Sequence, residues 1–190
     1  MNLYVAKVLK MLLTDLPYFD RPAGLVQTIT KEDSSGSGKT KVIRFPIEVD
    51  VTQEKESVPM IPDDRIKGMF YIEDGGSKHD GGNDWTSDLT LVCWFCPKKI
   101  SANVEAVSVN AMADIMYLCK KFYNDAPITK LKFNVVSSPV RSASIFSQYV
   151  YPEVNTQYLM PPYDFFALKI KASFRLSDSC IEPLTDPDIC

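Results

Sequence analysis

Histidine is almost missing from this chain: His79 is the single one among 190 residues. A centre resting on several imidazoles, catalytic or metal-binding, is thereby excluded. Long apolar runs are missing too. The nearest is Leu3 to Leu13, which Lys7 and Lys10 interrupt. Asp15 and Pro17 follow it, where a secretory leader would place small residues at a cleavage site. The expectation is a cytosolic product that keeps its N-terminus, with no membrane span. Charge of one sign is also lacking. The net charge of -3 leaves no basic footprint for nucleic acid or an anionic membrane. Cysteine is sparse and odd in number, at Cys93, Cys96, Cys119, Cys180 and Cys190. With no export signal, these read as free thiols, mostly small buried hydrophobes.

What is present is the patterning of an ordinary folded domain, with 45% hydrophobic and 24% charged residues. The clearest strand is Lys41 to Val51. Ile43, Phe45, Ile47, Val49 and Val51 share one face, with Arg44, Glu48 and Asp50 on the other. Two helices bracket the strands. Val5, Val8, Leu9, Leu12 and Leu13 make one apolar stripe near the N-terminus. Met112, Ile115, Met116, Cys119, Phe122 and Tyr123 make the other, within Val104 to Tyr123. Further strands are expected at Leu25 to Thr30, Arg65 to Glu73, Thr86 to Phe95, Ile128 to Val136 and Tyr163 to Leu176. Asp20 to Gly24 reads as a turn, and Thr52 to Asp64 as a connector. Lys31 to Thr40 and Asp74 to Asp84 read as long mobile loops, the second forming the tip of a hairpin. Ser137 to Tyr163 has no clear period and is rich in Tyr, Ser and Pro. The expected fold is α+β: a mixed, mainly antiparallel sheet with a long hairpin, packed by an N-terminal and a central helix. One domain spans 1–176, with the aromatic insertion at 137–163 and an extended acidic tail at 177–190.

Candidate chemistry is thin. Ser34 to Thr40 has the Gly-Lys-Thr ending of a phosphate-binding loop, but Asp33 stands where that loop needs glycine. A strand follows where a helix N-terminus would meet phosphate. A flexible hairpin loop fits better. Cys93 and Cys96 have CxxC spacing, which leaves a small metal or thiol-redox domain as an alternative. Strand alternation, however, sends their side chains to opposite faces, and no further ligands cluster nearby. His79 lies beside Asp80, with no activated nucleophile in the sequence. Asp74, Asp80 and Asp84 do not have calcium-loop spacing. No catalytic residue, no cofactor and no enzymatic activity is expected. The aromatics carry more. Trp85, Tyr149, Tyr151, Tyr158 and Tyr163 either pack over their own core or form a contact arm, since aromatic side chains favour interface centres. A module binding a small ligand or polysaccharide through Trp85, Trp94 and the tyrosines is a third reading, without a convergent polar set to support it.

The order helix, strands, long hairpin, helix, strands resembles the tail-terminator and head-to-tail connector proteins of tailed bacteriophages. The resemblance runs over residues 1–176 in element order. Tyr163-Asp164-Phe165-Phe166-Ala167-Leu168-Lys169-Ile170 is similar to the aromatic closing strand of such proteins, and Ala111 to Tyr123 to their sheet-covering helix. The resemblance implies a structural virion protein, made in the host cytoplasm, that forms a homo-oligomeric ring. It would touch portal or adjacent connector and tail proteins and let DNA pass without sequence-specific binding. The long 137–163 insertion and the acidic tail depart from the family pattern.

Overall fold

A computed structural model describes residues 2–33, 41–49, 58–124 and 128–176. The chain opens with helix α1 (Asn2–Thr14), which buries Val5, Ala6, Leu9 and Leu13. Among the described residues seven strands follow: β1 (Arg21–Asp33), β2 (Lys41–Glu48), β3 (Gly68–Gly81), β4 (Asp84–Phe95), the short β5 (Tyr123–Asn124), β6 (Ile128–Val135) and β7 (Asp164–Leu176). Helix α2 (Val107–Lys121) lies between β4 and β5. A single turn of helix, α3 (Glu153–Thr156), precedes β7. The strands form one sheet in the order β2-β1-β3-β4-β7-β6-β5. Among these described strands β1 and β3 run parallel, and the other neighbouring pairs are antiparallel. The α+β reading therefore holds.

The sheet is filled on both faces. On one face, α1 and α2 cover Phe70, Ile72, Leu91, Cys93, Phe95, Phe133, Phe166, Leu168 and Ile170. On the other, residues 137–163 cross the sheet as a strap over Met69, Tyr71, Val92, Trp94 and Ala167. Strand β4 sits between β3 and β7, so Leu91 to Phe95 is buried without a break. A strand covered on both sides reads as a continuous apolar run. Each large side chain so buried contributes about 1.5–3 kcal/mol through removal of apolar surface from water.

Three expectations need correction. Strand β1 is longer at both ends than expected: residues 21–24 belong to it, because Arg21 and Pro22 pair with Met69 and Phe70, and so do Lys31 to Asp33, read as loop, because they pair with Ile43, Val42 and Lys41. Asp74 to Asp84 is not a long loop. Ser77, Lys78 and His79 pair with Ser87, Thr86 and Trp85, and only a tight turn at Gly82 and Asn83 remains. Backbone pairing does not need apolar alternation, so the polar composition concealed it. Gly76, Gly81 and Gly82 have positive φ, and they absorb the local irregularities and the turn. Third, Met116 and Tyr123 do not join the apolar face of α2: they are exposed, while Val107, Ser108 and Ala111 are buried instead. The rest of the expected Lys31 to Thr40 loop (34–40), residues 50–51 of the expected Lys41 to Val51 strand, residues 52–57 of the expected connector and the expected tail at 177–190 lie outside the described residues.

Gly68 shows how tightly one corner is built. A side-chain carbon there would meet the Tyr18 backbone oxygen at 2.4 Å. The chain needs that approach because Asp20 donates its N–H to the Gly68 carbonyl at 3.0 Å.

Candidate functional site

The strap is the part of the molecule that its sequence left undefined, and its geometry is specific. After β6, Val136 still bonds to Lys169, and Val140 exchanges both backbone bonds with Ala167 at 2.9 and 3.0 Å. The chain then leaves the β7 edge. A 3-10 turn, Ala143–Phe146, drops Phe146 into the face beside Phe165, with ring centroids 5.2 Å apart. At the far side, Val150 exchanges both backbone bonds with Arg44 of β2 at 2.7 and 2.8 Å. The strap thus runs from β7 across to β2. Its return is pinned by Asn155, which donates to the Pro62 carbonyl at 2.9 Å, and by Trp94, whose Nε1 donates to the Tyr158 carbonyl at 2.7 Å.

A polar knot fixes the middle. Tyr149 Oη and Gln148 Nε2 each donate to Glu73 Oε1 at 2.6 Å. Burial holds the Glu73 carboxyl above the ordinary glutamate range, although both of these bonds favour the charged form. Burial also pushes the Tyr149 phenol up, and its bond to Glu73 adds to that. The hydroxyls of Tyr71 and Tyr151 are buried close by, near each other and Tyr149, and neither reaches a partner in good hydrogen-bond geometry among the described residues. Burial raises both.

The aromatic candidates can now be placed. Tyr149 and Tyr151 are 7% and 6% exposed and belong to the strap-side core, so they are not a free contact arm. Tyr158 and Tyr163 are half-buried, and Tyr163 stacks on Trp94 with centroids 5.4 Å apart. Trp85 is half-buried on the helix side and lies 4.8 Å from the His79 ring. His79 is exposed and its Nε2 meets the Gly82 carbonyl at 2.7 Å, while the neighbouring Asp80 carboxylate accepts from Thr86 instead. Cys93 packs in the helix-side core and Cys96 in the strap-side core. Burial pushes the Cys93 thiol well up and the Cys119 thiol up to about 12, the opposite of what an attacking thiolate needs. Among the described residues, no group of three or more His, Cys, Asp or Glu is placed to hold a metal ion. No described helix is long and apolar enough to cross a membrane.

What the sequence did not reveal is where apolar side chains face outward. On the helix side these are Tyr4 and Met11 of α1, with Val109, Met116 and Tyr117 of α2. On the strap they are Val140, Val150, Val154 and Met160, and Val154 is 71% exposed. Tyr4 and Met11 are seven residues apart and so share one helix face, a spacing present in the sequence but outweighed there by the stronger buried stripe. Compared with known proteins, the chain matches no family model, no curated protein and no solved structure.

Proposed function

We propose that this chain is a ring-forming structural protein of a tailed-phage virion, placed in the head-to-tail connector or tail-completion region. It joins portal and tail and leaves a passage for DNA. One observation carries the reading: the molecule exposes large apolar side chains on both sides of one sheet. Tyr4 and Met11 lie on the helix side, and Val150, Val154 and Met160 on the strap side. A subunit in a closed ring needs two different surfaces of this kind, because each protomer presents one flank to its left neighbour and the other to its right. Tyr4 and Met11 sit on a helix packed into the core, and the segment bearing Val154 and Met160 is pinned by the Asn155 and Trp94 hydrogen bonds, so little ordering is required at assembly. The exposed Lys7 lies between Tyr4 and Met11, and Glu153 adjoins Val154, giving opposite charges at the two rims. The element order resembling the tail-terminator and connector proteins supplies the virion setting, and the net charge of -3 suits a passage that duplex DNA must slide through.

The test is complementation between broken flanks. Met11→Glu and Val154→Glu are both exposed changes that leave the core intact. Light scattering should show each variant alone as a small species, while the wild-type chain forms rings, alone or on added portal or tail protein. Mixing the two variants restores one intact contact per pair and should give a heterodimer. A wild-type chain that stays monomeric and binds neither portal nor tail proteins overturns the proposal.

A further inference from the structure

The outward side of α2 has a pattern that is complementary to itself when reversed. Glu105, Val109, Ala113, Met116 and Lys120 are all exposed. At 100° per residue, the last four fall within an arc of about 60°. They lie away from the row formed by Val107, Ala111, Ile115 and Cys119, which is buried against the sheet. Glu105 belongs to a 3-10 turn, Val104–Ala106, that runs into α2 without a break, since Ala106 and Val107 both keep helical backbone angles. Reading along the stripe gives an acid, an apolar residue, the smallest side chain, an apolar residue and a base.

Now lay a second α2 antiparallel across the first, with a two-fold axis passing between positions 112 and 113. Glu105 then meets Lys120 of the other copy, twice over. Val109 meets Met116, also twice. Ala113 falls at the axis, where the backbones approach closest and a small side chain is needed. The antiparallel arrangement also opposes the two helix dipoles. A parallel pairing would set glutamate beside glutamate and lysine beside lysine. Among the described residues nothing seals the stripe, and Val109 and Met116 are 52% and 44% exposed.

We propose that α2 is a two-fold contact between copies of this chain, closed by reciprocal Glu105–Lys120 pairs around Ala113. The contact is isologous, so it differs in kind from the flank-to-flank contact of a ring. It forms between free subunits, and where rings assemble it joins two of them back to back. It therefore stands or falls apart from ring closure.

The experiment uses the full chain with Cys180 and Cys190 changed to serine. Cys93, Cys96 and Cys119 are buried and do not compete. Under mild oxidation, Ala113→Cys should give disulfide-linked dimers. Glu105→Cys alone should not, because its two copies would lie about 22 Å apart along the paired helices. In sedimentation equilibrium, Glu105→Lys should weaken pairing by about tenfold, and Glu105→Lys with Lys120→Glu should restore it to within about threefold. Circular dichroism checks that each variant is folded. A chain that stays monomeric, a residue 113 thiol protected from reagents by another part of the chain, or a double reversal no better than the single one overturns the inference. Large oligomers without a cross-link at residue 113 also overturn it, yet leave the ring intact. Cross-linked dimers that never grow larger uphold it and count against the ring.

Discussion

The same sheet is covered twice, by two different physical devices. On the helix side, α1 and α2 lay apolar stripes onto Phe70, Leu91, Phe166 and Leu168, and the cover is held mainly by packing. On the strap side, an aperiodic segment is held at separate points: the backbone pairs at Ala167 and Arg44, the Trp94 and Asn155 bonds, and the knot at Glu73. A helix satisfies its own backbone groups and needs only one apolar face. A strap must find a partner for each buried polar group along its path. The lesson is that one face is specified by periodicity and the other by individual residues. Single substitutions should therefore act more locally on the strap side.

The largest effect is expected at Trp94, which is fully buried, stacks on Tyr163 and donates to the strap at Tyr158. Trp94→Ala should cost about 3–5 kcal/mol in denaturant unfolding. Leu9→Ala, on the helix side, should cost about 2–5 kcal/mol. The comparison is sharpened by hydrogen exchange. Trp94→Ala should raise exchange at Phe146 to Tyr151 well beyond its effect on α1, whereas Leu9→Ala should act on the whole molecule. Equal exchange profiles for the two variants would mean that the strap is no separate cooperative unit.

The next contrast lies among three neighbouring tyrosines. Tyr149→Phe removes a donor from Glu73 and should cost about 1–2 kcal/mol. Tyr71→Phe and Tyr151→Phe remove hydroxyls that lie near each other without a well-formed bond, so each should fall within about 0.5 kcal/mol of wild type or slightly above it. A Tyr71→Phe cost as large as that of Tyr149→Phe would show that its hydroxyl is satisfied in solution.

This asymmetry also decides how much of the molecule could be read in advance. The stripe at Val5, Leu9 and Leu13 and the run Leu89 to Phe95 were legible because period and burial coincide there. The alternation in β7, with Phe166, Leu168 and Ile170 inward and Lys169 and Lys171 outward, was legible for the same reason. The strap was not, because Phe146, Tyr149 and Tyr151 enter the core from turns and bridges, whose spacing follows no helix or strand. The polar half of β3 was hidden for another reason. Its residues pair through backbone groups that every side chain shares, so Asp74 to Gly81 looked like a loop. The outward stripe on α2 is masked by the inward one: Met116 lies four residues after Met112 and three before Cys119, so its spacing fits the inward face although it is exposed.

Acidity gives a third way to separate the two sides. Burial raises the Glu73 carboxyl, so in the folded chain it holds a proton over a pH interval where the unfolded chain has already lost it. Stability contributed by this group is therefore present below the unfolded value and falls as pH rises through the raised one. Glu73→Gln should flatten that decline in thermal unfolding as pH rises above the ordinary glutamate range. Asp63 and Asp84 oppose it. Hydrogen bonds from Arg65 and Arg175 hold them below the usual range, so their contributions fade as pH drops. A Glu73→Gln profile parallel to that of wild type would remove Glu73 from the account.

The smallest effect is expected where charge pairs are exposed. Arg175 and Asp84 form a two-point pair at the hairpin end, with both contacts at 2.8 Å. Their side chains are 46% and 50% exposed, however, so water screens the attraction. Arg175→Ala should cost no more than about 1 kcal/mol, and most of that should vanish in 1 M salt, where the screening length is about 3 Å. Glu48 offers the contrast. It accepts from Lys10 at 2.6 Å and from the Gly24 backbone N–H at 2.7 Å, tying α1 to the β1–β2 ribbon. The pair is 28% and 33% exposed, and a backbone donor loses its partner if the carboxylate goes. Glu48→Ala should therefore cost more than Arg175→Ala, about 1–2 kcal/mol, and keep more of its effect in high salt. If both substitutions lost their effect equally on adding salt, the Gly24 bond would carry no weight, and the link from α1 to β2 would be no stronger than a surface ion pair.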